Sequence, residues 1–174
     1  MNKVQIDYPK AMELTTKVLG SYGALLVAND RQGKPNVMTI GWASYGIIWS
    51  KPMMLVLVRP SRCTYQFIEQ SASFTVNLPP PEMADVAAFC GTVSGRDVDK
   101  FKEKKLTALH GKRVLASYVD ECVVHFECRI VHKNYVTPQL LDPEIIRGLY
   151  PQGDFHAIYY GEILGCYANE GMRI

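Results

Sequence analysis

Alternating apolar and polar residues predict several β-strands along this chain. Between Glu121 and His132 apolar side chains occupy every second position, which is the period of a strand with one face in the core. Phe74–Leu78 alternates in the same way and places Asn77 on the face opposite the core. The predicted strands are Ala24–Ala28, Val37–Trp42, Met53–Val58, Phe74–Leu78, Glu121–His132 and Phe155–Cys166.

Helical spacing appears between these strands. Apolar residues at the i, i+3, i+4 and i+7 positions from Met83 to Cys90 predict a helix that ends at Gly91. The other predicted helices are Pro9–Leu19, Thr64–Gln70 and Asp97–Leu106, the last with Asp97 as its N-cap. Thr137–Asp154 contains three prolines and is predicted to be a long connection, and such loops are often functional.

Strands with helices inserted between them favour a barrel-like or α+β architecture. No internal linker divides the sequence, so residues 1–174 are predicted to form a single domain.

Composition narrows the function classes. The chain is 48% hydrophobic and 21% charged, which is typical of a soluble globular protein. A net charge of +2, from 19 basic and 17 acidic residues, argues against nucleic acid or a membrane as the partner. The longest apolar run, Met53–Val58, is too short to cross a bilayer, and the N-terminus lacks the apolar core of a signal peptide.

The five cysteines contain no Cys-x-x-Cys pair, and the four histidines lack a metal-ligand spacing, so no metal site is predicted. Reduced cysteines favour the cytoplasm. The chain also lacks a Gly-x-Gly-x-x-Gly fingerprint, a P-loop and a Gly-x-Ser-x-Gly nucleophile elbow.

The first candidate site is the segment Arg59–Thr64, which contains Arg59, Ser61, Arg62 and Thr64. Guanidinium groups, hydroxyls and the start of a predicted helix all suit the oxygens of a phosphate ester. The alternative is a solvated loop with an ordinary helix cap.

The second candidate is Ser94–Phe101, with Ser94, Gly95, Arg96 and Lys100. A glycine before a helix start, accompanied by two cations, again suits an anion. The alternative is a capped helix with solvated charges.

The third candidate is Asn36–Ser44, where polar residues stand between apolar ones. A flat heteroaromatic ring needs apolar faces together with a few polar groups at its edge, and this segment offers both. The alternative is that Met38 and Trp42 are core residues.

Taken in order, these segments resemble the flavin reductase-like, FMN-binding split-barrel family, which includes flavoredoxin and archaeal ferric reductase-like proteins. Further matching stretches are Ser73–Pro79 and the run from Gly153 through His156 to Ile163. The resemblance covers about residues 10–165.

The resemblance implies a six-stranded Greek-key split β-barrel that works as a homodimer with FMN at the interface. Thr39, Trp42 and Ser44 would lie near the flavin ring, and Asn77 would face the cofactor. Arg59, Ser61, Arg62 and Thr64 would hold the phosphate, while the loop Ser94–Lys100 would close over it. The full set of implied FMN-binding residues is Asn36, Met38, Thr39, Trp42, Ser44, Arg59, Ser61, Arg62, Thr64, Asn77, Ser94, Gly95, Arg96 and Lys100.

By the same resemblance His156 would be catalytic, on the substrate side of the flavin. The implied activity is an oxidoreductase that takes hydride from NAD(P)H and reduces free flavin, ferric complexes or a partner protein. Two alternatives stay open. One is a flavoredoxin-like FMN electron carrier that receives electrons from protein partners, and the other is a binding module without cofactor.

Overall fold

The computed structural model of the chain describes residues 2–172, which form a large antiparallel sheet, a two-stranded ribbon and five α-helices. The strands are β1 (Lys3–Gln5), β2 (Ala24–Asn29), β3 (Pro35–Ile40), β4 (Ala43–Ile48), β5 (Lys51–Val58), β6 (Ser73–Leu78), β7 (Ala108–His110), β8 (Ser117–Val119), β9 (Val124–Tyr135) and β10 (Ala157–Asn169). The helices are α1 (Met12–Leu19), α2 (Cys63–Gln70), α3 (Ala84–Thr92), α4 (Lys100–Glu103) and α5 (Pro143–Leu149). Short 3₁₀ turns cover Tyr8–Ala11, Pro81–Met83 and Pro138–Leu140.

The strands of the large sheet lie in the order β3-β2-β6-β9-β10-β5-β4, and β1 pairs with the last residues of β10. Although β5 and β6 follow each other in the chain, β9 and β10 lie between them. The chain therefore crosses from one half of the sheet to the other through α2. The predicted α+β class is confirmed, with eight strands in the main sheet where the resemblance implied six.

The core lies on the inner face of this sheet. Phe74, Val76 and Leu78 of β6 point into it beside Phe126 of β9. A second cluster forms on the outer face of β2 and β3, where α3, α4 and the β7–β8 ribbon cover it; it contains Leu25, Val27, Val37, Ala87, Cys90, Phe101, Val119 and Cys122. Strand β2 is buried on both faces, which explains its almost continuous apolar sequence.

Strand β4 was not predicted from the sequence. It joins β5 through Trp49 and Ser50, both in the left-handed region with φ of 53° and 56°. Two-residue hairpin turns of this kind usually carry Asn or Gly, so this turn gave no recognisable signal.

The predicted helix bounds need correction around the second candidate segment. Helix α3 continues past Gly91 to Thr92. Helix α4 spans only Lys100–Glu103, and its cap is Asp99, which accepts a hydrogen bond from the Lys102 amide. Asp97 belongs to a turn instead, since its amide donates to the Ser94 carbonyl.

The connection Thr137–Asp154 is partly helical, contrary to its prediction as a loop. Asp142 caps α5 by accepting a hydrogen bond from the Glu144 amide at 2.7 Å, and Pro143 occupies the first helical position. Both are common signals of a helix start.

All five cysteines are free and buried. Within residues 2–172, each helix is too short or too polar to span a bilayer. The cytoplasmic location stays a prediction.

Candidate functional site

A cavity of about 120 Å³, which we call the anion cavity, lies where the start of α2 meets the loop between α3 and α4. Its lining comprises Met38, Ser61, Arg62, Cys63, Thr64, Cys90, Gly91, Thr92, Val93, Ser94, Gly95, Arg96 and Lys100. The structure therefore brings together the first and second candidate segments, which are separated in sequence by β6 and α3.

Lys100 places a buried cation in the wall of the anion cavity. Its Nζ donates to the carbonyl oxygens of Val37 at 3.0 Å and Cys90 at 2.7 Å. Burial lowers the pKa of Lys100. An ammonium has three donors, so these two bonds leave one for an anionic ligand in the cavity.

Helix α2 contributes its N-terminal turn to the same cavity. Cys63 and Thr64 are its first residues and line the cavity. The first amides of a helix lack partners within the helix and favour an anion. Arg62, the N-cap residue, adds its charge beside them.

Two exposed arginines stand at the mouth of the anion cavity. Arg96 donates from Nη1 to the Ser61 carbonyl at 2.9 Å, which ties the loop between α3 and α4 to the start of α2. Arg62 donates to the Gly91 carbonyl at 3.4 Å. Because each guanidinium carries five donors, both retain donors for a ligand.

Asn36 supports the anion cavity from behind rather than lining it. Its Nδ2 donates to the Thr64 hydroxyl oxygen at 2.7 Å. Gly95 passes so close that an added Cβ would overlap with Asn36 Oδ1 and lie 3.2 Å from Cys63 Sγ. The backbone at Gly95 therefore needs a residue without a side chain.

A second cavity, of about 170 Å³, adjoins the first through shared lining residues Met38 and Arg62. We call it the aromatic cavity. Its lining comprises Met38, Thr39, Ile40, Gly41, Trp42, Leu57, Arg59, Arg62 and His156.

Trp42 forms one wall of the aromatic cavity. It is 39% exposed, so the alternative that it is a core residue is wrong. Its ring packs against that of His156 with centroids 4.9 Å apart. Thr39 lies beside it, and its hydroxyl donates to the Ala87 carbonyl at 2.5 Å, which links β3 to α3.

Arg59 lies at the aromatic cavity and does not line the anion cavity, contrary to its predicted place at the phosphate end. Its guanidinium donates to the carbonyls of Leu149 at 2.8 Å and Asp154 at 3.1 Å, and lies 4.8 Å from the Tyr150 ring centroid. These contacts hold the Arg59 guanidinium against the end of α5 and the segment that follows it.

His156 is buried at the edge of the aromatic cavity. Its Nδ1 lies 2.7 Å from the Tyr150 hydroxyl. Burial, assisted by the cation of Arg59, lowers the pKa of His156 to about 4. The imidazole is therefore neutral near pH 7, and it can exchange hydrogen bonds but does not supply a positive charge.

Ser61 already binds an anionic group of the chain itself. Its hydroxyl donates to Asp154 Oδ2 at 2.5 Å, and its amide donates to Oδ1 at 3.1 Å. Asp154 follows the α5 segment and has a left-handed φ of 56°. This contact fastens the connection between β9 and β10 to the start of α2.

Besides Asn36, two further predicted residues, Asn77 and Ser44, lie outside both cavities. Asn77 is fully buried: its side chain donates to the Leu25 carbonyl and accepts from the Val119 amide, both at 3.0 Å. It does face away from the inner core, but the β7–β8 ribbon covers that face, so it cannot face a cofactor. Ser44 lines a neighbouring open groove with Trp42 and Leu57.

Tyr150 and Leu57 belong to the site although sequence reasoning did not select them. Leu57 was only one apolar residue of a predicted strand. Tyr150 lay in a segment predicted to be irregular, and no local pattern linked it to His156.

The two cavities suit a ligand that has an anionic end and a flat ring. A buried ammonium, two guanidiniums and a helix start surround one end, while Trp42, Met38 and His156 border the other. The donor set fits the phosphate of FMN, and the apolar wall fits its ring.

The chain is similar to known proteins in sequence and in fold. Residues 20–173 match the family described as flavin reductase like domain. Flavoredoxin from Methanosarcina acetivorans is 32% identical with a TM-score of 0.67, covering 87% of this chain and 70% of that one. The FMN-binding domain of a flavin reductases-like enzyme from Shewanella baltica OS155 is 20% identical with a TM-score of 0.68, covering 99% and 83%. The split β-barrel predicted from the sequence is confirmed.

The chain spans about half the length of the curated relatives that it matches. One of them, an uncharacterized protein from Archaeoglobus fulgidus, is 33% identical over 98 residues, which is 56% of this chain and 55% of that protein.

Proposed function

Because the chain belongs to the flavin reductase-like domain family, we propose that it binds FMN and acts as an NAD(P)H-dependent oxidoreductase of the flavin or ferric reductase type. The observation that carries this proposal is the junction of the anion cavity with the aromatic cavity through Met38 and Arg62. Two adjoining cavities would thus hold a phosphate at one end and a ring at the other.

The anion cavity would hold the phosphate of FMN. Lys100, Arg62 and Arg96 would supply cationic donors, with Thr64 and Ser94 as neutral donors around them. Charge-assisted hydrogen bonds of this kind are about twice as strong as neutral ones.

The aromatic cavity would hold the ring and admit the second substrate. When bound, FMN supplies the redox chemistry, because its ring accepts electrons from a reduced nicotinamide and passes them to an acceptor. Trp42, Met38 and Leu57 would offer apolar surface to the ring, and the neutral imidazole of His156 would contribute a hydrogen bond.

A titration of the purified chain with FMN tests the binding proposal. Arg62→Ala should weaken FMN binding by about 1.5–3 kcal/mol, because it removes charge-assisted contacts to the phosphate. Arg31→Ala removes an exposed arginine of the β2–β3 turn and is the matched control, which should bind FMN like the parent chain. Equal affinities in the parent chain and Arg62→Ala would place the phosphate elsewhere.

Anaerobic mixing of the FMN-loaded chain with NADH or NADPH tests the reaction. Rapid loss of the flavin absorbance supports the NAD(P)H-dependent activity. A chain that holds FMN without being bleached would favour a flavoredoxin-like electron carrier, a second candidate that the similarity to a flavoredoxin supports. If the chain binds no FMN, the hypothesis that remains is a binding module without cofactor.

We also propose that the chain forms a homodimer with FMN at the interface. Leu55 pairs with Tyr160 and Leu57 pairs with Ile158, so these four partly exposed apolar residues share the outer face of β5 and β10. Leu57 also lines the aromatic cavity. A second copy packed on this face would cover apolar surface and border the FMN ring at the same time.

Sedimentation analysis of Leu55→Glu tests the dimer. A charge on this face should produce monomers, whereas Leu115→Glu, at an 83% exposed position elsewhere, should sediment like the parent chain. A parent chain that sediments as a monomer with and without FMN would contradict the proposal.

A further inference from the structure

The hydrogen bond between Tyr150 and His156 joins the α5 segment to the aromatic cavity. Tyr150 directly follows α5 as its C-cap and is 4% exposed, and its hydroxyl oxygen lies 2.7 Å from His156 Nδ1. His156 in turn lines the aromatic cavity and packs on Trp42. The proton arrangement of this pair therefore decides which hydrogen-bonding group the cavity presents.

Tyr150 is fixed from several sides. Its ring stacks on Phe155 with centroids 4.7 Å apart and an interplanar angle of 21°. The Arg59 guanidinium lies over the same ring and donates to the Leu149 carbonyl beside it. A phenol packed in this way has little freedom to move its hydroxyl away from His156.

Both rings are neutral near pH 7. Burial raises the pKa of Tyr150, while burial and the neighbouring arginines lower the pKa of His156 to about 4. A neutral phenol and a neutral imidazole each carry one proton, so two arrangements are possible. Either the phenol donates to Nδ1 and the imidazole proton lies on Nε2, or Nδ1–H donates to the phenol oxygen.

The chemistry of the two rings selects the first arrangement. A phenol O–H is a stronger acid than a neutral imidazole N–H, and the bare imidazole nitrogen is a stronger base than a phenol oxygen. The Arg59 cation over the phenol ring makes the hydroxyl proton more acidic, which strengthens the hydroxyl further as a hydrogen-bond donor. The proton of His156 then lies on Nε2, which makes no hydrogen bond to any of residues 2–172.

We propose that Tyr150 is a positioning residue that holds His156 in the Nε2–H tautomer, so that the aromatic cavity presents an N–H donor to its substrate. Such a donor recognises an acceptor oxygen of a carbonyl or carboxamide, and it would reject a ligand that offers only a donor at that point. The substrate half of this inference rests on the proposed function, whereas the tautomer does not.

Nitrogen-15 NMR of the chain labelled at histidine tests the tautomer without FMN or substrate. His156 should show a protonated Nε2 and an unprotonated Nδ1, and His156→Gln assigns its signals. In Tyr150→Phe both nitrogens should move toward the averaged shifts of a tautomer mixture. Tyr8→Phe, which removes a phenol hydroxyl from the N-terminal turn, should leave them in place. A protonated Nδ1 in the parent chain, or unchanged shifts in Tyr150→Phe, would overturn the proposal.

Steady-state kinetics of the FMN-loaded chain test the substrate half. Tyr150→Phe should lower kcat/KM for the nicotinamide substrate by about 2- to 10-fold, which is the range that one hydrogen bond accounts for, with unchanged FMN affinity. In a His156→Phe background the same substitution should have no further effect, because Tyr150 acts through His156. Independent, additive losses would contradict this. If the chain oxidises neither NADH nor NADPH, the proposed function fails while the NMR result still decides the tautomer.

Discussion

Gly95 shows how one residue without a side chain shapes the anion cavity. Gly95→Ala places a methyl group onto Asn36 Oδ1, so Asn36 must move and its bond to Thr64 is lost. We expect weaker FMN binding, by about 1–3 kcal/mol, measured by titration of flavin fluorescence.

Gly46→Ala is the matched control, since the added methyl group at this position of β4 meets no atom within 4 Å. It should bind FMN like the parent chain if it stays in the same oligomeric state. An equal loss in both variants would mean that Gly95 does not act through Asn36.

Single residues were predictable from the sequence where their own segment set their position. Arg62, Thr64 and Lys100 were selected from local charge and helix signals, and they do line one cavity. The alternation in β6 predicts the correct face for Asn77, but residues 108–119 cover that face. No pattern within β6 indicates that a ribbon from elsewhere in the chain packs on it. Alternation therefore fixes which way a side chain points, and distant segments fix what it meets.

At the scale of elements, β9 and β10 depend on a close approach at Gly161. A Cβ at this position would lie 2.5 Å from Phe74 Cζ and 2.7 Å from Cys128 Cβ. The pairing of these strands shifts register beside it, between Tyr160 and Gly161. Gly161→Ala should therefore lower the free energy of unfolding by about 1–3 kcal/mol because the core is overpacked, as measured by urea denaturation.

Gly148→Ala provides the opposite expectation in the same assay. It lies in α5, and an added methyl group meets no atom within 4 Å. Alanine should leave stability unchanged or raise it by up to about 1 kcal/mol, because glycine is the poorer helix former. A destabilised Gly148→Ala together with an unaffected Gly161→Ala would contradict this account.

The elements predicted well are those with long, regular patterns. β2, β5, β6 and β9 all appear close to their predicted bounds. β4 was missed because its hairpin turn uses Trp49 and Ser50, and α5 was missed because three prolines suggested a loop. Tertiary contacts stabilise both elements: Trp49 packs on Tyr160, and Arg59 binds the carbonyl at the end of α5.

For the whole molecule, the order of strands could not be read from local patterns. β6 pairs with β2 and β9, although β5 and α2 precede it in the chain. Hydrophobic periodicity specifies faces but not neighbours, so the barrel was predictable only through resemblance to a family. The adjoining cavities follow from this order, because it brings β3, β5 and the α5 segment to the same place.

The acid stability of the whole chain should depend on His156. Its pKa is lowered from 6.5 to about 4 in the folded chain. Between these values the unfolded chain binds a proton that the folded chain does not, so the free energy of unfolding falls as the pH falls through this window. With about 1.4 kcal/mol per pH unit, the loss from this one group approaches about 3 kcal/mol at the acid end.

Urea unfolding of the FMN-free chain across this pH range measures the effect. His156→Gln lacks the titrating group, so its stability should decline less steeply with acid than that of the parent chain. Buried His125, whose pKa is also lowered by burial, should account for part of the remaining decline. His110→Gln, at an exposed position, is the control and should follow the parent curve. Parallel curves for His156→Gln and the parent chain would show that His156 binds its proton equally well in the folded and unfolded chains.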